Sequence, residues 1–206
     1  MEQFVKITGI AAPIMRINID TDQIIPGREI MRGSRPGEGY GPGLFGYWRY
    51  IEDRTPNPDF ILNQEPWKNA TILLADRNFG CGSSREPAPK ALRGFGFRAV
   101  VAPSFGGIFY NNCFRNGVLP VELPIEQVRV LAEQMQESRG NARVTVDLEN
   151  CVVISPTGRT IPFQVDARRQ HAMLNGLDDI AQTMTHKAAI EGWQKADQSE
   201  RPWVWL

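Results

Sequence analysis

Residue types that can do chemistry crowd into one stretch, Asn78-Phe79-Gly80-Cys81-Gly82-Ser83-Ser84-Arg85-Glu86. Its glycines let the backbone turn tightly and come close to a ligand. An apolar run over residues 70–75 precedes it and reads as a buried parallel strand, and a helix-like segment over residues 89–93 follows. The stretch is therefore a strand-to-helix loop. Ser83, Ser84 and Arg85 set hydroxyls, backbone N–H groups and a cation at a helix N-terminus, an arrangement that binds anions. Capping of the helix by the serines is compatible with that role. Arg85 can hold a carboxylate as a bidentate fork, or it can pair with Glu86 or Asp76. Cys81 invites a nucleophile assignment, but no histidine lies near it in sequence to activate a thiol.

The remaining candidates are fewer. The three cysteines, Cys81, Cys113 and Cys151, form neither a disulfide framework nor a C-x-x-C ligand pair. With only His171 and His186 to add, no zinc pattern exists, and this chain is not expected to hold a metal or an iron–sulfur cluster. Asp20 and Asp22, in Asn18-Ile19-Asp20-Thr21-Asp22, could pair on a metal. Aspartates around a threonine before a helical turn more commonly cap backbone N–H groups.

The elements that must position these groups are legible from pattern. Residues 4–10 alternate as a first strand. Residues 98–102 and 117–121 join 70–75 as buried strands, with helix-like stretches between them and another over residues 124–138 that opens on Pro124. That order is the signature of a parallel α/β layer. Residues 143–148, 151–154 and 160–165 are short β runs separated by turns, and helices return over residues 167–195. Residues 32–46 carry a glycine and proline density that no regular element tolerates. They are either a linker or, because they join structured stretches and carry Arg35, Tyr40, Leu44 and Phe45, a mobile substrate lid. The apolar tail over residues 196–206 is expected to dock on this chain or on a partner.

A chain of 206 residues with 42% hydrophobic composition can bury the core of one compact domain. Charge is balanced at 23 basic and 23 acidic residues without a basic block, so neither nucleic acid nor an anionic membrane is an implied partner. The N-terminus lacks the pattern of a signal peptide and no apolar run approaches a membrane span, which makes the cytoplasm the expected compartment.

These strings resemble the small subunit of 3-isopropylmalate dehydratase. The resemblance is carried by residues 18–26, Pro58-Asp59-Phe60, residues 78–86, Ala102-Pro103-Ser104-Phe105 with Ile108-Phe109-Tyr110, Leu119-Pro120-Val121 and Asn175-Gly176-Leu177-Asp178. It implies an aconitase-type swivelling β/β/α domain, a hydro-lyase of leucine biosynthesis, and a 4Fe-4S cluster held by a separate large subunit. It makes Ser83 the general base, with Ser84 and Arg85 completing the catalytic set and Cys81 a small neutral filler. Gly82, Arg85, Arg35, Tyr40, Leu44 and Phe45 are the expected contacts to a branched hydroxy-dicarboxylate. One position departs from the family, which commonly has His where this chain has Pro87. If Ser84 caps the helix, Pro87 falls where the N–H is unpaired anyway. The departure leaves citraconate or dimethylmaleate as alternative substrates, and a non-catalytic regulatory module as the alternative role.

Overall fold

Two four-stranded sheets organise the chain, and the computed structural model describes them within residues 1–205, apart from the Asp53 side chain. Strands β1 (Lys6–Gly9) and β2 (Ala11–Ile14) are separated by Ile10 alone, yet they lie in different sheets. The single strand expected over residues 4–10 is thus shorter, and the chain changes sheet at Ile10, whose carbonyl accepts from both Thr71 and Ile72.

The parallel sheet runs β2, β3 (Ile72–Ala75), β4 (Ala99–Ala102) and β5 (Leu119–Glu122). Every residue of β2, β3 and β4 is buried, which is why these runs read as unbroken apolar stretches. Before β3 come the short helices α1 (Thr21–Ile24), α2 (Gly27–Gly33) and α3 (Gly46–Arg49). The crossovers are α4 (Pro87–Phe95) and α5 (Gly107–Arg115), which pack on each other. Helix α6 (Ile125–Glu137) presents Ile125, Val128, Leu131 and Met135 at helical spacing and lies across β2, β3 and β4.

The antiparallel sheet is β1, β6 (Val144–Asp147), β7 (Val152–Ile154) and β8 (Thr160–Pro162). Its last three strands form a meander, and β1 pairs with β6 so that Lys6 stands opposite Asp147. The chain then continues through α7 (Ala167–Leu174), α8 (Asp179–Met184) and α9 (Lys187–Glu200). Almost all of α9 is exposed. The tail folds back on it: the Trp205 indole N–H donates to Asp197 Oδ2 at 2.8 Å, and Arg201 Nε donates to Asp197 Oδ1 at 2.7 Å. Leu206 lies outside the described residues.

Residues 32–46 are neither a linker nor, throughout, a lid. Helix α2 runs through Gly33, residues 34–39 are exposed, and residues 41–43 form a 3-10 turn seated on α4. That seat explains Gly41: a Cβ there would overlap the Gly94 carbonyl. Leu44 and Phe45 are fully buried, and Phe45 stacks on Trp48 at 5.5 Å with Phe60 edge-on at 6.1 Å. The expectation that Leu44 and Phe45 meet substrate is therefore corrected: glycine and proline exclude regular structure, but they do not exclude packing.

Candidate active site

The Ser83 loop lies beyond the carboxyl end of β3, where open parallel sheets commonly place their ligands. Its neighbours on both sides brace it through backbone bonds. Toward the loop after β4, Phe79 N–H donates to Ser104 O at 3.1 Å, Gly106 N–H donates to Phe79 O at 2.9 Å, and Asn78 N–H donates to Ser104 Oγ at 2.9 Å. Toward the loop after β2, Gly80 N–H donates to Ile19 O at 2.7 Å and Thr21 N–H donates to Cys81 O at 3.0 Å. Gly82 then turns at φ +86°, a conformation that would strain any other residue by about 1–2 kcal/mol. The Thr21 hydroxyl donates to Ser83 O at 2.8 Å.

The result is a cavity of about 270 Å³ whose wall includes Gly82, Ser83, Ser84, Arg85 and the start of α5 at Gly107 and Ile108. Ser83 and Ser84 are exposed to it, and Arg85 is half-buried. Among the described residues, the backbone N–H groups of Ser83, Ser84 and Arg85 meet no protein acceptor. Donors that are already oriented and still unpaired suit an incoming anion or a developing oxyanion.

Arg85 is held by Asp22, with Nη2 to Oδ1 at 2.7 Å, and not by Glu86 or Asp76. Glu86 pairs with Lys90 at 2.8 Å, and Asp76 Oδ1 accepts from Arg77 N–H. Asp20 is committed to a capping box on α1, accepting from Gln23 N–H at 2.7 Å while the Gln23 side chain accepts from Asp20 N–H at 2.9 Å. The two aspartates therefore have different partners, Asp20 on the start of α1 and Asp22 on Arg85. No group of three or more His, Cys, Asp or Glu side chains among the described residues is disposed to hold a metal. Burial first, and then the Asp20 charge, push the Cys81 thiol above its ordinary range, so it is held as a thiol and not as a nucleophilic thiolate.

The helix after the loop begins two residues earlier than expected, at Pro87, and Ser84 is not its cap. Glu86 occupies that position without a side-chain bond, and Pro87 stands in the first turn. There the missing N–H is harmless and the proline φ suits the helix. Pro87 does not line the cavity. Neither do Arg35, Tyr40, Leu44 and Phe45: Arg35 is exposed, Tyr40 is half-buried, and the other two belong to the core. Sequence reasoning missed Thr21 and Asp22 as neighbours of this loop. The only signal was the threonine between two aspartates, which capping already explained.

A parallel sheet presenting a Ser-Ser-Arg loop beyond its strand ends, joined to a small antiparallel sheet, defines an aconitase-type C-terminal domain, and a family model for the aconitase C-terminal domain matches residues 1–126. A second model, described as LeuD_N, matches residues 130–167. The chain is 52% identical over 205 residues to the 3-isopropylmalate dehydratase small subunit of Agrobacterium fabrum, covering 99% of this chain and 100% of that one. It is 50% identical to the small subunit of the same name from Cupriavidus necator, covering 99% and 98%. A crystal structure of 3-isopropylmalate dehydratase from Methanocaldococcus jannaschii superposes with a TM-score of 0.63 at 25% identity, covering 91% of this chain and 98% of that one. The chain belongs to the family of 3-isopropylmalate dehydratase small subunits.

Proposed function

We propose that this chain is the small subunit of a hydro-lyase that interconverts 2-isopropylmalate and 3-isopropylmalate by dehydration and rehydration, working with a large subunit in the cytoplasm. The observation that carries the reading is one cavity lined by Ser83, Ser84 and Arg85, whose backbone N–H groups have no acceptor among the described residues, within a chain similar over its full length to small subunits of that name.

Each group has a physical role in such a reaction. Arg85 holds a substrate carboxylate through its planar fork, and the Gly82 turn lets the backbone approach it. Ser83 takes the proton from the carbon next to that carboxylate and returns it on rehydration. A serine hydroxyl is a very weak acid, so this requires an alkoxide stabilised by the Ser84 N–H, the Ser84 hydroxyl and the Arg85 charge. Departure of hydroxide from the adjacent carbon needs a Lewis acid. Among the described residues no group of three or more His, Cys, Asp or Glu side chains could hold one, so we assign the 4Fe-4S cluster that the family resemblance implies to the large subunit.

Residues 34–39, with Arg35 at an exposed position, are the part of the glycine-rich segment able to reach a substrate or partner. Pro87 stands outside the cavity wall, so its departure from the family pattern is no argument for citraconate or dimethylmaleate. The test is co-expression with the cognate large subunit and assay against isopropylmalate, citraconate and dimethylmaleate. Turnover of isopropylmalate that Ser83→Ala abolishes supports the reading. A complex that assembles but turns over none of the three points to a regulatory module instead.

A further inference from the structure

We propose that Thr21 is a positioning residue for the base, aiming the Ser83–Ser84 peptide through its side-chain hydroxyl. The inference rests on the proposed function, because it concerns the donors around Ser83. Thr21 is 3% exposed, and its hydroxyl donates to Ser83 O at 2.8 Å across 62 residues of sequence. Its backbone N–H donates to Cys81 O at 3.0 Å, so one residue pins the carbonyls on both sides of Gly82. Thr21 is itself locked at the start of α1, where the Asp20–Gln23 capping box sets the helix and Ile25 N–H donates to Thr21 O at 3.0 Å.

The consequence follows from peptide geometry. The Ser83–Ser84 peptide is trans, and in a planar trans peptide the C=O and the N–H point in opposite directions. Holding the Ser83 carbonyl therefore dictates where the Ser84 N–H points. That N–H has no protein acceptor among the described residues, and Ser84 is one of the residues that line the cavity. Without the hydroxyl, the carbonyl loses its only partner among the described residues, and the peptide between two exposed serines, next to a glycine at φ +86°, can rotate. A donor turned away from the alkoxide weakens the base while leaving the Arg85 fork untouched.

The experiment uses the complete two-subunit complex with Thr21→Val, which is isosteric but lacks the hydroxyl, and Thr21→Ser, which keeps it. Thr21→Val is expected to lower kcat by roughly 100-fold, the scale of a small misplacement of a catalytic group, with KM within about threefold of wild type. The acid limb of its kcat–pH profile moves to higher pH, because an alkoxide with one donor fewer is harder to form. Thr21→Ser restores kcat. A role in packing alone predicts the reverse order, with Val tolerated and Ser impaired. Wild-type kcat in Thr21→Val, an unmoved acid limb, or a Thr21→Ser variant as slow as Val overturns the proposal. If Thr21→Val does not assemble, the Ser84 amide resonance of the ¹⁵N-labelled full chain decides: a shift from wild type supports the proposal and an unmoved resonance overturns it. A wild-type complex without turnover, or an active Ser83→Ala, refutes the functional reading instead, and the Ser84 resonance still tests Thr21.

Discussion

Truncating Phe45 separates a packed segment from a moving lid. Phe45 is fully buried, with Trp48 stacked on one face at 5.5 Å and Phe60 edge-on at 6.1 Å. Buried Phe→Ala changes cost about 3–5 kcal/mol, and the two aromatic neighbours place this site toward the upper end. For a chain of this length each kcal/mol lowers Tm by about 2–4 °C, so Phe45→Ala should melt roughly 8–20 °C below wild type. A second variant sharpens the test. Phe45 sits at φ 50° and ψ 36°, in the left-handed region where a Cβ costs about 1–2 kcal/mol and glycine costs nothing. Phe45→Gly should therefore melt no lower than Phe45→Ala, opposite to the usual order at interior sites. Thermal melts by circular dichroism on the purified chain give both values, and KM for isopropylmalate in the complex gives the contrast. If both variants melt within about 2 °C of wild type while KM rises, the residue is not core and the packing account is wrong.

The other expectations concern charge and catalysis. Ser83→Ala should lower kcat by about 10²–10⁴-fold with the complex intact by gel filtration, and near wild-type turnover would move the base elsewhere. Arg85→Lys should raise KM, since a point charge cannot reproduce the fork, and an unchanged KM would remove Arg85 from carboxylate binding. At Asp147, burial opposes the charge, but hydrogen bonds from the Asn150 backbone and side chain and from Lys6 outweigh it and hold the carboxyl below its ordinary range. Its contribution to stability is therefore present above the unfolded carboxyl pKa of about 4 and is lost as pH falls through the lower folded value. Asp147→Asn should flatten the acid limb of a Tm-against-pH curve, and a limb unchanged in that variant would place the acid sensitivity elsewhere.

What could be read in advance depended on whether the determinant was local. The strands at residues 70–75, 98–102 and 117–121 announced themselves because burial on both faces leaves no room for polar side chains. The Ser-Ser-Arg loop was visible because its residue types have few other uses at that spacing. The change of sheet at Ile10 left no such trace, since a strand ending in one sheet and another starting in the next both look extended. The Asp22–Arg85 pair and the Thr21–Ser83 bond each span more than sixty residues, and nothing in either segment alone names its partner. Pattern also misjudged the glycine-rich segment, because Leu44 and Phe45 are buried by contacts with distant residues and not by their own periodicity.

The carboxylate of Asp22 already seated on Arg85 changes what it means for an anion to arrive. The newcomer does not neutralise a bare cation; it replaces a resident counter-ion, which swings out into solvent from a position that is already half exposed. Such an exchange leaves the number of ion pairs unchanged, so charge alone contributes little net affinity. A chloride, with nothing more to offer than Asp22 already provides, has little reason to stay. An anion that also presents an oxygen to the unpaired N–H groups does. The guanidinium is thus kept paired, and the site stays open, until an anion with more to offer than Asp22 arrives.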